Sequence, residues 1–448
     1  MSGGSDDAAP GESASASRPL RTDLAPIAEA VAAADADAFV AVGDRFDDDL
    51  RYLTRFSGPD RAYALVVVPS DDRSDADAAG RAVCCVPSLF RERADREFVS
   101  SARTQSENGA SDGDGEFHDG VVRAVRTERT GGHAGERAAA VVRDLLGDDG
   151  NEDSDGNEDG DRTLLVPPSI PHDAAVYLER AGNALASTDA VADARARKTA
   201  AEIDRLRRVQ RAAATGMARA ETVLAESAVD ADGTGEPILR WNGEPLATER
   251  LRREVNAALA VSGVSDAGDT AIGVGRSAAD RHYRGDEPIR PGETVLIGVS
   301  PRGPDGYRGN LTRTFVVDGD GGWERRASVA VESAREVALA EIEPGVPAKT
   351  VHGETAAELA AYGFDPNADE GEPGFLHDAG HGVGMSRHEA PSLSRAGELR
   401  TGHVVAVDPG VYDSAIGGVR LGDLAVVTED GYELLAEYPL GMVPATRE

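Results

Sequence analysis

One short run, HDAGHGVGMSRHEAP at residues 377–391, gathers three imidazoles, His377, His381 and His388, among glycines. Imidazole exchanges protons near neutral pH and also ligates metals, so such a run suits acid–base work or metal chemistry. Isolated histidines are ordinarily surface or core residues, and His118, His133 and His172 are read that way. Glu389 follows His388 and either orients that imidazole by accepting its N–H or faces solvent. Gly380, Gly382 and Gly384 relieve backbone crowding on a strand and carry no chemistry. In Thr312-Arg313-Thr314 strand alternation sets the two hydroxyls on one face and turns Arg313 to the other, where it packs or pairs.

Four further segments accompany that run in order: DARARKTAAEIDRLRRV (193–209), VLIGVSPRGPDGYRGNLTRTFVV (295–317), VVAVDPGVY (404–412) and GGVRLGDLAVVTEDG (417–431). Together the five resemble the entry helix, the VLIDLG…GYxxDxTRTF hairpin, HxxGHGxGxxxHE, TIEPGxY and GxRxED…VTExG of the pita-bread family of aminopeptidase P, prolidase and creatinase. DLRYLTRFSG (49–58) is similar to a YLTGF stretch of the family's N-terminal domain. The resemblance covers residues of about 20–100 and 165–440. It implies an α+β fold, with a C-terminal pita-bread domain preceded by a smaller α/β creatinase-type domain.

The family's hydrolases hold two divalent metals through two Asp, one His and two Glu, and the metals share a hydroxide nucleophile. Here those positions are Gly298, Asn310, His381, Asp408 and Gly422. Two donors survive and one of them carries charge, so no metal cofactor is expected unless Asp305 or Asp423 is re-aimed inward. The resemblance places His282, His377, His381 and His388 at the family's active-site histidine positions. They line a polar pocket or remain as structural hydrogen bonders. Arg420 holds the family's arginine beside the site. It clamps a substrate carboxylate or pairs with Asp423 or Asp408.

The expected catalytic set is therefore His282, His377, His381, His388 and Asp408, with Arg420, Thr312 and Thr314 on the substrate. Three functions remain open. One is a metal-independent, creatinase-like hydrolase of a small peptide-like or guanidino C–N bond, with His282 as general acid or base. The second is a non-catalytic peptide-binding module, and the third an Xaa-Pro dipeptidase or aminopeptidase with a reduced metal site. The resemblance also implies a small-molecule or short-peptide ligand and a homodimer.

The elements that must position these residues are legible in outline. Residues 1–18 lack an apolar core, so neither a signal peptide nor folded structure is expected there. A mixed α/β domain is predicted over 19–187, from a helix at 24–34, a strand at Ala38–Val42 and apolar runs at Tyr63–Val68 and Ala82–Val86. Acidic, Gly-rich segments near 107–120 and 147–162 read as surface insertions. The pita-bread domain is predicted over 188–448. It opens with an unbroken helix over 191–228 and continues with strands at Thr294–Ser300 and Arg313–Val317. Helices follow at 324–342 and 349–361, then strands around 383–387, 403–408 and 423–428.

Asp and Glu number 80 against 47 Lys and Arg, for a net charge of −33, and Lys198 and Lys349 are the lysines. Acid spread along the whole chain suits a halophilic cytoplasm, where salt screens repulsion. The chain shows no basic stripe for nucleic acid and no apolar run long enough to span a membrane. Cys84 and Cys85 are strand neighbours on opposite faces, which excludes a disulfide framework.

Overall fold

The computed structural model describes residues 20–58, 60–70, 79–100, 119–128, 132–147, 162–230, 236–369 and 372–447. Residues 1–18 and nearly all of both acidic insertions lie outside the described residues.

The N-terminal half is a six-stranded sheet, with β1 (Ala38–Gly43), β2 (Tyr63–Pro69), β3 (Gly80–Pro87), β4 (Val121–Glu128), β5 (Arg162–Val166) and β6 (Asn183–Ser187) ordered 4-3-2-1-5-6. The β1–β2 and β2–β3 pairs are antiparallel and the rest parallel. Both faces are covered. The helix Ala25–Ala33 packs one face through Ile27 and Val31, and Ala134–Leu146 packs the other through Ala138 and Val142. Side-chain alternation on β3 sends Cys84 into the first core and Cys85 into the second, and neither forms a disulfide among the described residues.

Entry to the second half differs from the expected single helix. Ala190–Ala196 ends at Arg197 in extended backbone, and a new helix, Ala200–Ala225, begins after Thr199. Thr199 accepts from Glu202 N while Glu202 Oε2 accepts from Thr199 N at 2.8 Å, a reciprocal cap. Such a cap contributes about 1 kcal/mol, enough to set where the helix restarts. The absence of proline had concealed the break.

A three-stranded sheet of β7 (Thr270–Val274), β8 (Thr294–Val299) and β9 (Leu311–Val316) packs beneath the helices Ala200–Ala225 and Thr248–Val261, through Val295, Ile297, Phe315, Met217 and Leu251. A second sheet runs β11 (Glu389–Ser392), β10 (Gly380–Gly382), β12 (Val404–Val407), β15 (Asp423–Val427) and β16 (Tyr432–Leu434). Helices Trp323–Ala340 and Ala348–Ala361 cover it and the hairpin of β13 (Gly410–Asp413) and β14 (Gly417–Arg420). A bridge between Thr312 and Gly422 joins the two sheets into one curved surface with four helices outside. The strand expected at 383–387 lies at 380–382 instead. A Cβ on Gly380 would collide with the Ala406 carbonyl, so only glycine admits this pairing.

Candidate functional site

The concave face converges on the row Gly298, Thr312 and Gly422, paired across β8, β9 and the residue that precedes β15. Both glycines leave space, and side chains from neighbouring strands fill it. A Cβ at Gly298 would lie 3.3 Å from Arg420 Nη2 and 3.6 Å from Thr312 Oγ1. A Cβ at Gly422 would collide with Asp408 Oδ1 and stand 2.9 Å from Thr312 Cβ. Asn310 Nδ2 donates to Asp408 Oδ1 at 3.0 Å and Oδ2 at 3.2 Å, so it acts toward that carboxylate as a donor. Gln210 fixes the Asn310 backbone on both sides at 2.8 Å. Among the described residues no group of three His, Cys, Asp or Glu could hold a metal ion. Two surviving donors beside a buried guanidinium do not fit a pair of dications, whose charge needs several carboxylates.

Neither Asp305 nor Asp423 is re-aimed inward. Asp305 pairs outward with Arg205 at 2.9 Å, and Asp423 is held between Arg313 and Arg335. Arg313 does face away from the site, as strand alternation requires.

Two of the imidazoles, His381 and His388, come together beside Asp408. His381 Nδ1 meets the Gly382 carbonyl at 3.0 Å, so it carries the proton there, and Nε2 faces Asp408 Oδ2 at 3.7 Å. The His388 ring lies 4.1 Å from the His381 ring, centroid to centroid. His377 donates Nδ1–H to the Asp378 carbonyl and accepts from the Tyr412 hydroxyl through Nε2, each at 2.8 Å. Desolvation against Phe375 and Tyr412, followed by the Arg420 charge, pushes its pKa down to about 3. It is neutral and fully engaged, which makes it a fixture of the wall.

His388 is pushed down to about 4 by desolvation of its inner side, then by His381 and Arg387. His282 is lowered by burial, then by Arg387 and Arg420. Among the described residues neither of these two rings has a hydrogen-bond partner. They are the imidazoles left free to move a proton.

Arg420 is 6% exposed and donates Nη2 to Thr312 Oγ1 at 3.1 Å, while its Nε is buried without an acceptor. It pairs with neither Asp423 nor, within hydrogen-bond reach, Asp408. The Thr314 hydroxyl bonds the Arg420 backbone N–H and carbonyl at 3.0 and 3.2 Å. Thr314 therefore pins the arginine's strand and is not open to a ligand, while Thr312 presents the arginine itself.

Glu389 does not orient His388. It accepts from Lys198 Nζ at 3.0 Å, from Ser386 N at 2.9 Å and from Arg195 Nη2, and so holds the loop that carries Arg387 and His388. Arg195 also bonds Asp49, and Asp48 accepts from Ser386 Oγ at 2.8 Å and from Arg302, so the N-terminal half braces the same loop. Sequence reasoning missed Arg387 and Tyr412. Both lie inside the quoted motif segments, but neither is a residue type that spacing alone singles out.

The model of metallopeptidase family M24 matches residues 204–429, half of the chain. An Xaa-Pro dipeptidase from Pyrococcus furiosus is 32% identical over 172 residues, covering 38% of this chain and 47% of that protein. An agropine synthesis cyclase from Rhizobium rhizogenes is 35% identical over 119 residues, 26% of this chain and 28% of that protein. The chain thus spans about half the length, or less, of these curated relatives. The crystal structure of the prolidase from Pyrococcus horikoshii superposes with a TM-score of 0.69 at 20% identity, covering 94% of this chain and 99% of that one. That likeness extends the shared fold over both halves.

Proposed function

Because the chain belongs to metallopeptidase family M24 yet sets a guanidinium and an amide where carboxylate ligands would stand, we propose that it is a metal-independent hydrolase of a peptide-like C–N bond in a small ligand. The observation that carries this reading is Arg420 Nη2, 3.3 Å from where a side chain at 298 would begin. A fixed positive charge occupies the cavity with no metal required.

Proton handling falls to the two free rings. Held neutral at pH 7, His282 accepts a proton from the attacking water and returns it to the leaving nitrogen, so no net proton is consumed. His388 donates its N–H to the carbonyl oxygen as charge develops there, the kind of contact whose removal costs 100-fold or more, about 3 kcal/mol. Asp408, His381 and Thr312 fix the floor, and Arg420 seats a substrate carboxylate. The surrounding guanidiniums favour a peptide-like amide over a cationic guanidino group.

The test is elemental analysis of protein purified in high salt, followed by hydrolysis of an N-acyl amino acid and dipeptide panel with chelator present. Turnover that survives chelator and is lost in His282→Ala supports the proposal. About two bound metals per chain, with Xaa-Pro cleavage abolished by chelator, would return it to the dipeptidases. Absence of turnover across the panel favours the peptide-binding module. A homodimer is proposed on the family resemblance, to be tested by light scattering, and a cytoplasmic location on the acidic composition. No described helix is long and apolar enough to cross a membrane.

A further inference from the structure

We infer that the ligand of this site is doubly anionic, with one carboxylate on Arg420 and a second on Arg387. This deepens the hydrolase reading by taking the same pocket as the substrate seat. Arg387 sits next to His388 in the loop held by Glu389, and its Nε is buried without an acceptor, as is that of Arg420. Several arginines bury an Nε without an acceptor, but Arg387 and Arg420 are the two of them whose charges act on His282, which leaves two donors beside the free imidazoles for outside acceptors.

The charge balance points the same way. Asp269 is the carboxylate nearest Arg387, at 3.6 Å, but it already accepts from Arg308 at 2.6 Å and Arg284 at 3.1 Å. One negative charge cannot answer three positive ones. On the other side Asp408 is turned to the Asn310 amide. Burial, together with Arg420 and Arg284, lowers the Arg387 pKa, as expected of a cation short of counter-charge. Against burial, Tyr412 and Asp408 raise the Arg420 pKa, as Glu389 and Asp49 raise that of Arg195, so the deficit of counter-charge lies at Arg387. In a chain of net charge −33 this corner is left positive. A small amide carrying two carboxylates, such as an N-acyl acidic amino acid, supplies both missing acceptors and sets its C–N bond between His282 and His388.

The test reads binding rather than turnover, so it can fail or succeed independently of hydrolysis. Succinate and butyrate, equal in carbon count and differing by one carboxylate, are titrated calorimetrically into the full chain at one fixed ionic strength. The expected result is a preference for succinate of about tenfold or more, the weight of one charge-assisted hydrogen-bonded pair. Arg387→Gln should bring succinate down to the butyrate level, and Arg387→Lys should keep part of the preference. Equal affinities in the parent chain, binding of neither acid, or an undiminished preference in a folded Arg387→Gln protein each overturn the inference. The parent comparison stands even if that variant fails to fold.

Discussion

On one face of β9, Arg313 spends all five of its donors: on Asp423 at 2.7 Å and on the carbonyls of Thr312, Gly422, Tyr438 and Pro439. Asp423 in turn receives Arg335 Nε at 2.6 Å, and it and Arg313 are each 1% exposed. Across the same strand, Arg420 is almost as deeply buried but keeps an orphaned Nε, and Asp408 is answered by an amide. The two buried cation–anion groups differ in saturation. A closed ionic network fixes the fold, because removing one member strands the others in low dielectric. An open one keeps unmet donors, a cost that something outside the chain can relieve.

The same chemical change at both places should separate them most sharply. Asp423→Asn should destabilise the protein by about 3–5 kcal/mol, since two buried guanidiniums lose their counter-charge. Asp408→Asn should cost about 1 kcal/mol or less, with the loss showing in activity. Urea unfolding of both variants measures this, and equal costs would dissolve the distinction.

Next in size is conversion of the open group into a metal site. Gly298→Asp, Asn310→Asp, Asp408→Glu and Gly422→Glu together restore the family's carboxylates around His381. The combined variant should take up divalent metal when the parent does not. Failure to do so, with the fold intact by circular dichroism, would mean that Arg420 does not yield the space.

The smallest effect is with pH. The pKa values of about 3 for His377 and about 4 for His388 lie below the unfolded value near 6.5. Between those limits the unfolded chain binds more protons, so stability is full above pH 7 and falls as pH drops from 6.5 toward 4. Hydrolysis should have its acid limb below 6.5, because burial, then Arg387 and Arg420, lower the pKa of the base His282. A kcat/KM profile breaking at 6.5 would place the working imidazole elsewhere.

Strand alternation made the opposed facing of Arg313 and the Thr312 hydroxyl legible in the sequence, because period-two geometry is local. The motif order also led to the expectation that Gly298, Asn310 and Gly422 stand at ligand positions of the family's hydrolases. It could not show what fills the space there, since Arg420 and Asp408 enter that volume across strands remote in sequence. Glu389 was misjudged for the same reason, its partners Arg195 and Lys198 lying 194 and 191 residues away. The helix break at Thr199 was missed, although Thr199-x-x-Glu202 is a capping signature, because the apolar stripe runs on past it without a proline. The strand near 380 was displaced by weight given to Val383 and Met385, apolar residues that belong to the core between the two halves.

The brace formed by Asp48, Asp49, Arg195 and Ser386 means that the half holding the recognisable motifs is not a portable cassette. Grafted behind another leader domain, it would keep its sheets and helices but lose the outer wall against which the Arg387–His388 loop is set. In descent as in engineering, the two halves must be inherited together. Drift at positions 48, 49 or 195, far from the imidazoles in sequence, would then surface as changed ligand preference in a protein that still folds.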